Sequence, residues 1–344
     1  MDTLIERSSF TLCSSSTRKK EETTKKEKPK ASMFRALGIV PARYAATRFP
    51  GKLLKDLAGV PVVVRTVNAA LRSKALSDVW LATDDERISA VIHEHCPDVH
   101  VVMTPTNCQS GSDRMVAAIR VSGMMAEGSE GAEEVDDNHS DDSDNHSDDS
   151  DHSRNFFPYD VVVNVQGDEP LLDSEHIDLV VQCLFNHPSV DIATLVVELD
   201  ATTKQGAVDV ADPNVVKCVV DQTYNALYFS RSIVPHHHHH AAAPACDVTE
   251  VEVEEVERRT TIRGTVDTSG RTKYLKHIGL YAYRPNSLLR FVNAPPSMLE
   301  MAESLEQLRA MELGMKIQVV EVASAEIGID TEEQLERARN IFQG

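Results

Sequence analysis

DVVVNVQGDEP, residues 160–170, decides how this chain folds. Asp160-Val161-Val162-Val163-Asn164-Val165 is a short, almost unbroken apolar run, the pattern of a strand buried on both faces in the middle of a parallel sheet. Gln166-Gly167-Asp168-Glu169-Pro170 then ends the strand with two backbone breakers. Asp168 is left at the carboxyl end, the edge where α/β sheets bind their ligands. On these residues alone Asp168 reads equally well as a turn former.

Toward the N-terminus, a first apolar run at 36–40 leads into PARYAATRFPGK (41–52), which holds two prolines, one glycine and the cations Arg43, Arg48 and Lys52. A constrained, basic loop at the end of a first strand has the chemistry of a polyphosphate cradle, and also the composition of a basic surface turn. Pro61 stands at the first position of a helix on which Val60, Val64, Val67 and Leu71 recur at helical spacing. A strand at 78–83, a helix at 86–94 and a strand at 99–103 complete a β-α-β-α-β alternation. That order makes a mainly parallel sheet with helices on both faces. Gln109-Ser110-Gly111-Ser112-Asp113-Arg114 then opens a helix marked by Met115, Ala118 and Ile119.

Toward the C-terminus the pattern gives a helix at 174–185 and strands at 191–197, 215–220, 226–229, 276–283 and 317–322. The strand at 276–283 puts His277, Gly279, Tyr281 and Tyr283 on one face. A helix at 298–312 carries Glu306 and Gln307, and a last helix begins at 332.

Three polar tracts interrupt this core. Residues 1–33 carry eight Lys/Arg against five Asp/Glu and few apolar positions, a disordered tail by composition. The insertion at about 121–155 repeats DNHSDDS at 137–143 and 144–150, with no apolar position, so it is solvated and not a coiled coil. The third, 236–272, begins with five histidines, His236–His240. Without the three tracts roughly 240 residues remain, enough for one α/β domain with a full core.

The net charge of −19 is concentrated in the same way. Residues 121–153 hold twelve Asp/Glu and no Lys or Arg, which leaves −7 for the rest of the chain. That balance argues against a nucleic-acid binder while allowing a local basic pocket. The six cysteines show no paired C-x-x-C spacing and read as free thiols of a reducing compartment. No apolar run is long enough for a membrane span. Glu21, Glu22 and Glu27 spoil the acid-poor pattern of a transit peptide, so a cytoplasmic location is the default expectation, with organelle targeting by the tail as the alternative.

Asp330 is a second carboxylate of interest. It stands where the last helix would take its N-cap, with Glu333 three residues on, but Thr331 with Gln334 offers a competing cap that would release Asp330. Two carboxylates and a basic, glycine-containing loop are what magnesium-assisted chemistry on a nucleoside triphosphate requires. His277, Tyr281, Glu306 and Gln307 are ambiguous by themselves: a strand histidine beside tyrosines, and the polar face of a helix.

PARYAATRFPGK (41–52), the stretch from Gln109 to Arg114, VNVQGDEP (163–170), ALYFSRS (226–232), KHIGLYAYR (276–284), LEQLR (305–309) and GIDT (328–331) follow one another in an order that resembles the 3-deoxy-manno-octulosonate cytidylyltransferases, or CMP-Kdo synthetases. The likeness runs from about Ala36 to Ala338, interrupted by the two insertions. It implies a Rossmann-like nucleotidyltransferase fold with a smaller β-containing dimerisation lobe, and a homodimer formed partly through 226–232 and 276–310. The implied reaction joins CTP and 3-deoxy-D-manno-octulosonate (Kdo) into CMP-Kdo and pyrophosphate, with Mg²⁺ as cofactor.

By the same resemblance, Arg43, Arg48 and Lys52 hold the triphosphate, and Asp168 and Asp330 hold the metal. Lys52, Arg48 and Asp168 form the catalytic group. Pro41, Ala42, Ser110, Gly111, Arg114 and Gln166 lie beside the nucleotide, while Arg231, His277, Tyr281, Glu306 and Gln307 line the sugar-acid pocket. Cys108 departs from the pattern, since the family usually has a histidine there, and a thiol is a weak donor. Two other readings stay open: a relative acting on another acid sugar such as a sialic acid, and a silent scaffold of the same fold. An NAD-binding reading fails because no G-x-G-x-x-G follows the first strand.

Overall fold

The computed structural model describes residues 34–45, 49–124, 157–236, 273–324 and 328–343. Arg48, the N-terminal tail, and nearly all of both insertions lie outside the described residues.

The N-terminal part contains β1 (Ala36–Ala42), a small ribbon of β2 (Asp56–Leu57) and β3 (Val60–Pro61), α1 (Val62–Leu71), β4 (Asp78–Thr83), α2 (Glu86–His95), β5 (His100–Met103) and α3 (Gly111–Val121). The middle part has β6 (Val161–Asn164), α4 (Ser174–Asn186), β7 (Ile192–Leu199), α5 (Lys204–Ala211), β8 (Lys217–Val220) and β9 (Ala226–Ser230). It closes with β10 (Tyr274–Tyr283), α6 (Pro285–Asn293), α7 (Met298–Glu303), α8 (Gln307–Glu312), β11 (Ile317–Val322) and α9 (Glu332–Gln343). Among the described residues, no helix is long and apolar enough to cross a membrane.

The main sheet runs β11-β7-β10-β6-β1-β4-β5, with β8 pairing β10 and β9. β6, β1, β4 and β5 are mutually parallel, as are β7 and β11. β6 sits at the centre with every residue buried, as the run of valines requires. The departures from a parallel sheet are β10, which runs against β6, β7 and β8, and β9, which runs against β8.

Both faces of the sheet are covered because side chains alternate along each strand. On β1, Ala36 and Val40 face a core shared with α1, α2, α4 and α9, whereas Leu37 and Ile39 face a second core with α3, α6 and α8.

Two sequence expectations change. Pro61 ends β3 and caps α1 instead of opening it, because it pairs with Asp56 in the small ribbon. The helix expected over 298–312 is two helices. Ser304 turns left-handed at φ 52°, ending α7, and Leu305 drops into the core. The Glu300 carboxylate then grips Arg309 at 2.7 Å across the break. Helices α5 and α6 were not read from the sequence. The first is short and carries Gly206; the second is announced only by Pro285 at its first turn.

Candidate active site

The carboxyl ends of β1 and β6 and the N-terminus of α3 meet around a cleft of about 260 Å³, near the lower size limit of small-molecule sites. Pro41, Ala42, Arg43, Lys52, Ser110, Gly111, Arg114, Gln166, Asp168 and Asp330 all line it. Phe49, Leu53, Cys108, Gln109 and Gly167 complete the wall.

Lys52 is the centre of this cleft. Gly51 turns left-handed at φ 68°, where a Cβ would meet the Tyr44 ring at 3.2 Å, and the next residue swings inward. The Lys52 side chain is buried, and its Nζ donates to Asp168 Oδ2 and, at 2.8 Å, to Asp330 Oδ1. Two carboxylates separated by 162 positions in the chain thus converge on one ammonium group.

Asp330 reaches this position because Thr331 takes over the cap of α9. Gln334 N–H donates to Thr331 Oγ1, and Gln334 Oε1 accepts from Thr331 N–H at 3.0 Å and from Asp330 N–H at 2.6 Å. Asp168 is placed by the approach of Gly167 to β1. A Cβ on Gly167 would lie 2.9 Å from the Pro41 carbonyl oxygen, and the Thr66 hydroxyl donates to the Gly167 carbonyl at 3.1 Å. Gly167→Ala is therefore expected to lower stability by about 1–3 kcal/mol and to displace Asp168. Urea unfolding with parallel rate measurements checks this; an unchanged urea midpoint would contradict the close packing.

Around this pair the other candidates have distinct commitments. Ser110 caps α3, its Oγ accepting from Asp113 N–H at 3.1 Å while its own N–H donates to Asp113 Oδ2. The unpaired N–H groups of this helix N-terminus, with its positive dipole end, favour an anion. Arg114 is buried and already paired: it donates to Asp84 Oδ2 at 2.9 Å and to Thr104 Oγ1 at 2.6 Å. Arg43 is exposed and has no ion-pair partner among the described residues. Burial pushes the Cys108 thiol up from its ordinary pKa, only partly offset by Arg114.

The sugar-side candidates assemble along β10 and α8. β10 bulges between Ile278 and Tyr281, and the Thr194 hydroxyl donates to both carbonyls freed there, Ile278 at 3.1 Å and Leu280 at 2.9 Å. With that hydrogen committed, the His277 Nε2, 3.0 Å away, donates to Thr194 Oγ1. The His277 and Tyr281 rings lie 5.3 Å apart, and Tyr283 and Phe291 continue the aromatic row. Glu306 accepts from the Ser112 hydroxyl on α3 at 3.3 Å, which joins this group to the cleft. Burial raises the Glu306 carboxyl pKa. Gln307 is buried beside it. Arg231 does not line the cleft; its guanidinium is held by the carbonyls of Glu303, Pro213 and Ser304.

Burial lowers the His277 pKa to about 3, so the folded protein keeps this imidazole neutral. The unfolded chain takes up a proton near pH 6.5 that the folded one refuses. This contribution to stability is complete above about pH 6.5 and shrinks as pH falls toward 3, by at most ~1.4 kcal/mol per unit. His277→Gln is expected to flatten the pH dependence of urea unfolding between pH 6 and 4; equal slopes would overturn the assignment.

Sequence reasoning missed Glu169. This half-buried carboxyl packs under Gly328, where a Cβ would meet its Cγ at 3.3 Å. Burial, then Asp168 and Asp330, push its pKa up to about 8. Its neighbour Asp168 drew the attention in the sequence, and nothing in QGDEP separates their environments.

A lysine-bridged pair of aspartates thus lies beside a helix N-terminus at the carboxyl edge of a doubly covered sheet, the edge where α/β proteins bind their ligands. The profile of the family described as Cytidylyltransferase matches residues 37–127 and 135–317. The 3-deoxy-manno-octulosonate cytidylyltransferase of Chlorobaculum tepidum is 38% identical over 90% of this chain and 97% of its own. That of Bdellovibrio bacteriovorus is 37% identical over 90% and 98%. A solved CMP:2-keto-3-deoxy-manno-octonic acid synthetase complexed with CTP shares 29% identity and a TM-score of 0.66, covering 90% of this chain and 98% of that one. The chain belongs to the 3-deoxy-manno-octulosonate cytidylyltransferase family.

Proposed function

We infer that this chain transfers the cytidylyl group of CTP to 3-deoxy-D-manno-octulosonate, giving CMP-Kdo and pyrophosphate. The observation that carries the mechanism is Lys52 held between Asp168 and Asp330 in the cleft. The anomeric hydroxyl oxygen forms the new bond to the α-phosphorus as the bond to pyrophosphate breaks, and the hydroxyl proton leaves to solvent. Such a transfer depends mainly on positioning and on neutralising charge. Arg43 and the α3 N-terminus supply positive potential along the triphosphate, and Lys52 would add its charge there when its two carboxylates are shared with a cation. Arg114 keeps α3 against the end of β4 through Asp84 instead of spending its charge on phosphate. The row from His277 to Tyr283, with Glu306 and Gln307, presents the sugar-acid side.

The donor set suits Mg²⁺. Asp168 and Asp330 each bring a carboxylate oxygen to the Lys52 ammonium. Mg²⁺ is commonly held by one or two carboxylates with substrate phosphates and water. When bound there, it would neutralise charge on the phosphate oxygens. Arg48 belongs to this proposal on the resemblance of the loop alone. A homodimer is part of the same reading: exposed Leu227, Met298 and Met301 lie in the segments expected to meet. The cytoplasm remains the expected compartment.

The test is pyrophosphate release with CTP and Mg²⁺, comparing Kdo with a sialic acid. Release with Kdo is the expected result. Silence with Kdo and turnover of the sialic acid would replace the sugar, and silence with both would revive the scaffold reading.

A further inference from the structure

Asn164, the last residue of β6, is 2% exposed, and its Oδ1 is the only buried side-chain nitrogen or oxygen among the described residues that lacks a hydrogen-bond partner. An orphaned acceptor at the centre of a sheet is costly, and nearly all buried polar groups in native proteins are paired. A leucine of almost the same shape would remove that cost.

The position of the side chain gives the orphan a use. Asn164 alternates with Val163 and so faces α3, as do its register partners Ile39 on β1 and Tyr281 on β10. Its Nδ2 lies 3.6 Å from the point a Cβ on Gly111 would occupy, and Gln166 Nε2 lies 3.8 Å from the same point. Gly111 and Gln166 both line the cleft. On the other side, the Tyr281 hydroxyl has no hydrogen-bond partner among the described residues, and its ring adjoins His277. The Asn164 amide thus stands between the floor of the nucleotide cleft and the aromatic row of β10.

The chemistry of the missing partner narrows the ligand. A side-chain carbonyl only accepts, so its partner has to bring a donor. Phosphate oxygens and the carboxylate of an acid sugar bring acceptors alone; donors come from the hydroxyls of the sugar acid and, on CTP, from the ribose hydroxyls and the cytosine amine. The adjoining row of Tyr281 and His277 favours the sugar acid. The terminal amide torsion of Asn is soft, and Gly111 leaves open the space beside it. We propose that Asn164 is a specificity-determining residue for the polyhydroxylated co-substrate, its side-chain carbonyl turning toward Gly111 to accept from a sugar hydroxyl. This rests on the cytidylyl-transfer reading given above.

The test is Asn164→Leu in the full chain, with melting temperature and steady-state kinetics in CTP and in Kdo. The expected result is a split. Melting rises by about 2–4 °C because the orphan is gone. KM for Kdo rises about tenfold, the loss of one good hydrogen bond. KM for CTP stays within about twofold. Asn164→Thr, which keeps an acceptor oxygen, is expected to recover part of the Kdo KM. A stabler Leu variant with unchanged Kdo KM overturns the proposal, and so does a destabilised one in which both KM values rise together. If the Leu variant is recovered only as aggregate, Asn164→Ala is judged by the same split. A wild-type chain silent with CTP and Kdo overturns the reaction instead, so the two failures are distinct.

Discussion

Asp168→Asn and Asp330→Asn are each expected to lower kcat by about 10²–10³, because each takes away a carboxylate that would hold the cation neutralising the phosphates. The amide keeps the shape of the carboxylate and deletes only its charge, so the fold should survive. Each variant leaves Lys52 with one ionised partner instead of two. Both should also bind Mn²⁺ at least about tenfold more weakly by calorimetry, since a hard divalent cation depends on carboxylate charge. The two losses should not add, because the residues act at one point. Near-wild-type turnover in either variant would sink the assignment of this pair.

The second large effect concerns Lys52. Lys52→Met is expected to reduce kcat by about 10²–10³ and to lower stability by about 1–3 kcal/mol. The Lys52 side chain is 11% exposed and its partners 29% and 37%, so the pair is only partly desolvated and the stability cost stays below that of a deep ion pair. Without the ammonium, the two carboxylates lose the cation that joins them. Lys52→Arg keeps the charge but replaces a compact ammonium with a larger planar fork, so it should restore stability better than rate. Urea unfolding and pyrophosphate release measured on the same preparations separate these effects. An arginine variant with full activity would mean that only charge matters at this position.

Much of the cleft was legible because chemistry and backbone punctuation coincide in the sequence. The valine run of 161–163 is followed four positions on by the breaker Gly167, and the loop of 41–52 ends at Lys52 after the left-handed Gly51. Such breakers mark strand ends, and strand ends in a parallel sheet share one edge. The competition between Asp330 and Thr331 for the last cap was also visible, and Thr331 caps with Gln334.

What escaped the sequence depends on neighbours far along the chain. Arg114 has the composition of a phosphate ligand, yet Asp84, thirty positions earlier, takes its charge. Arg231 has the composition of a carboxylate grip, yet the backbone carbonyls of Glu303, Pro213 and Ser304 hold it. The kink that separates α7 from α8 follows from Leu305 seeking the core, which no helical periodicity announces. β10 runs antiparallel, and its bulge, closed by Thr194, sets the spacing of His277 and Tyr281.

The sequence by itself determined the alternating α/β order, the central strand at 161–164 and the residues able to carry phosphate and metal chemistry. These are local properties: side-chain periodicity, breakers and charge. Only the tertiary structure decided that Lys52 bridges Asp168 and Asp330, that Glu169 is pressed into a site that raises its pKa, and that Asn164 keeps an acceptor without a donor. Hydrogen-bond satisfaction and desolvation depend on which distant segments come within a few ångströms, and that distance is set by the packing of the whole sheet.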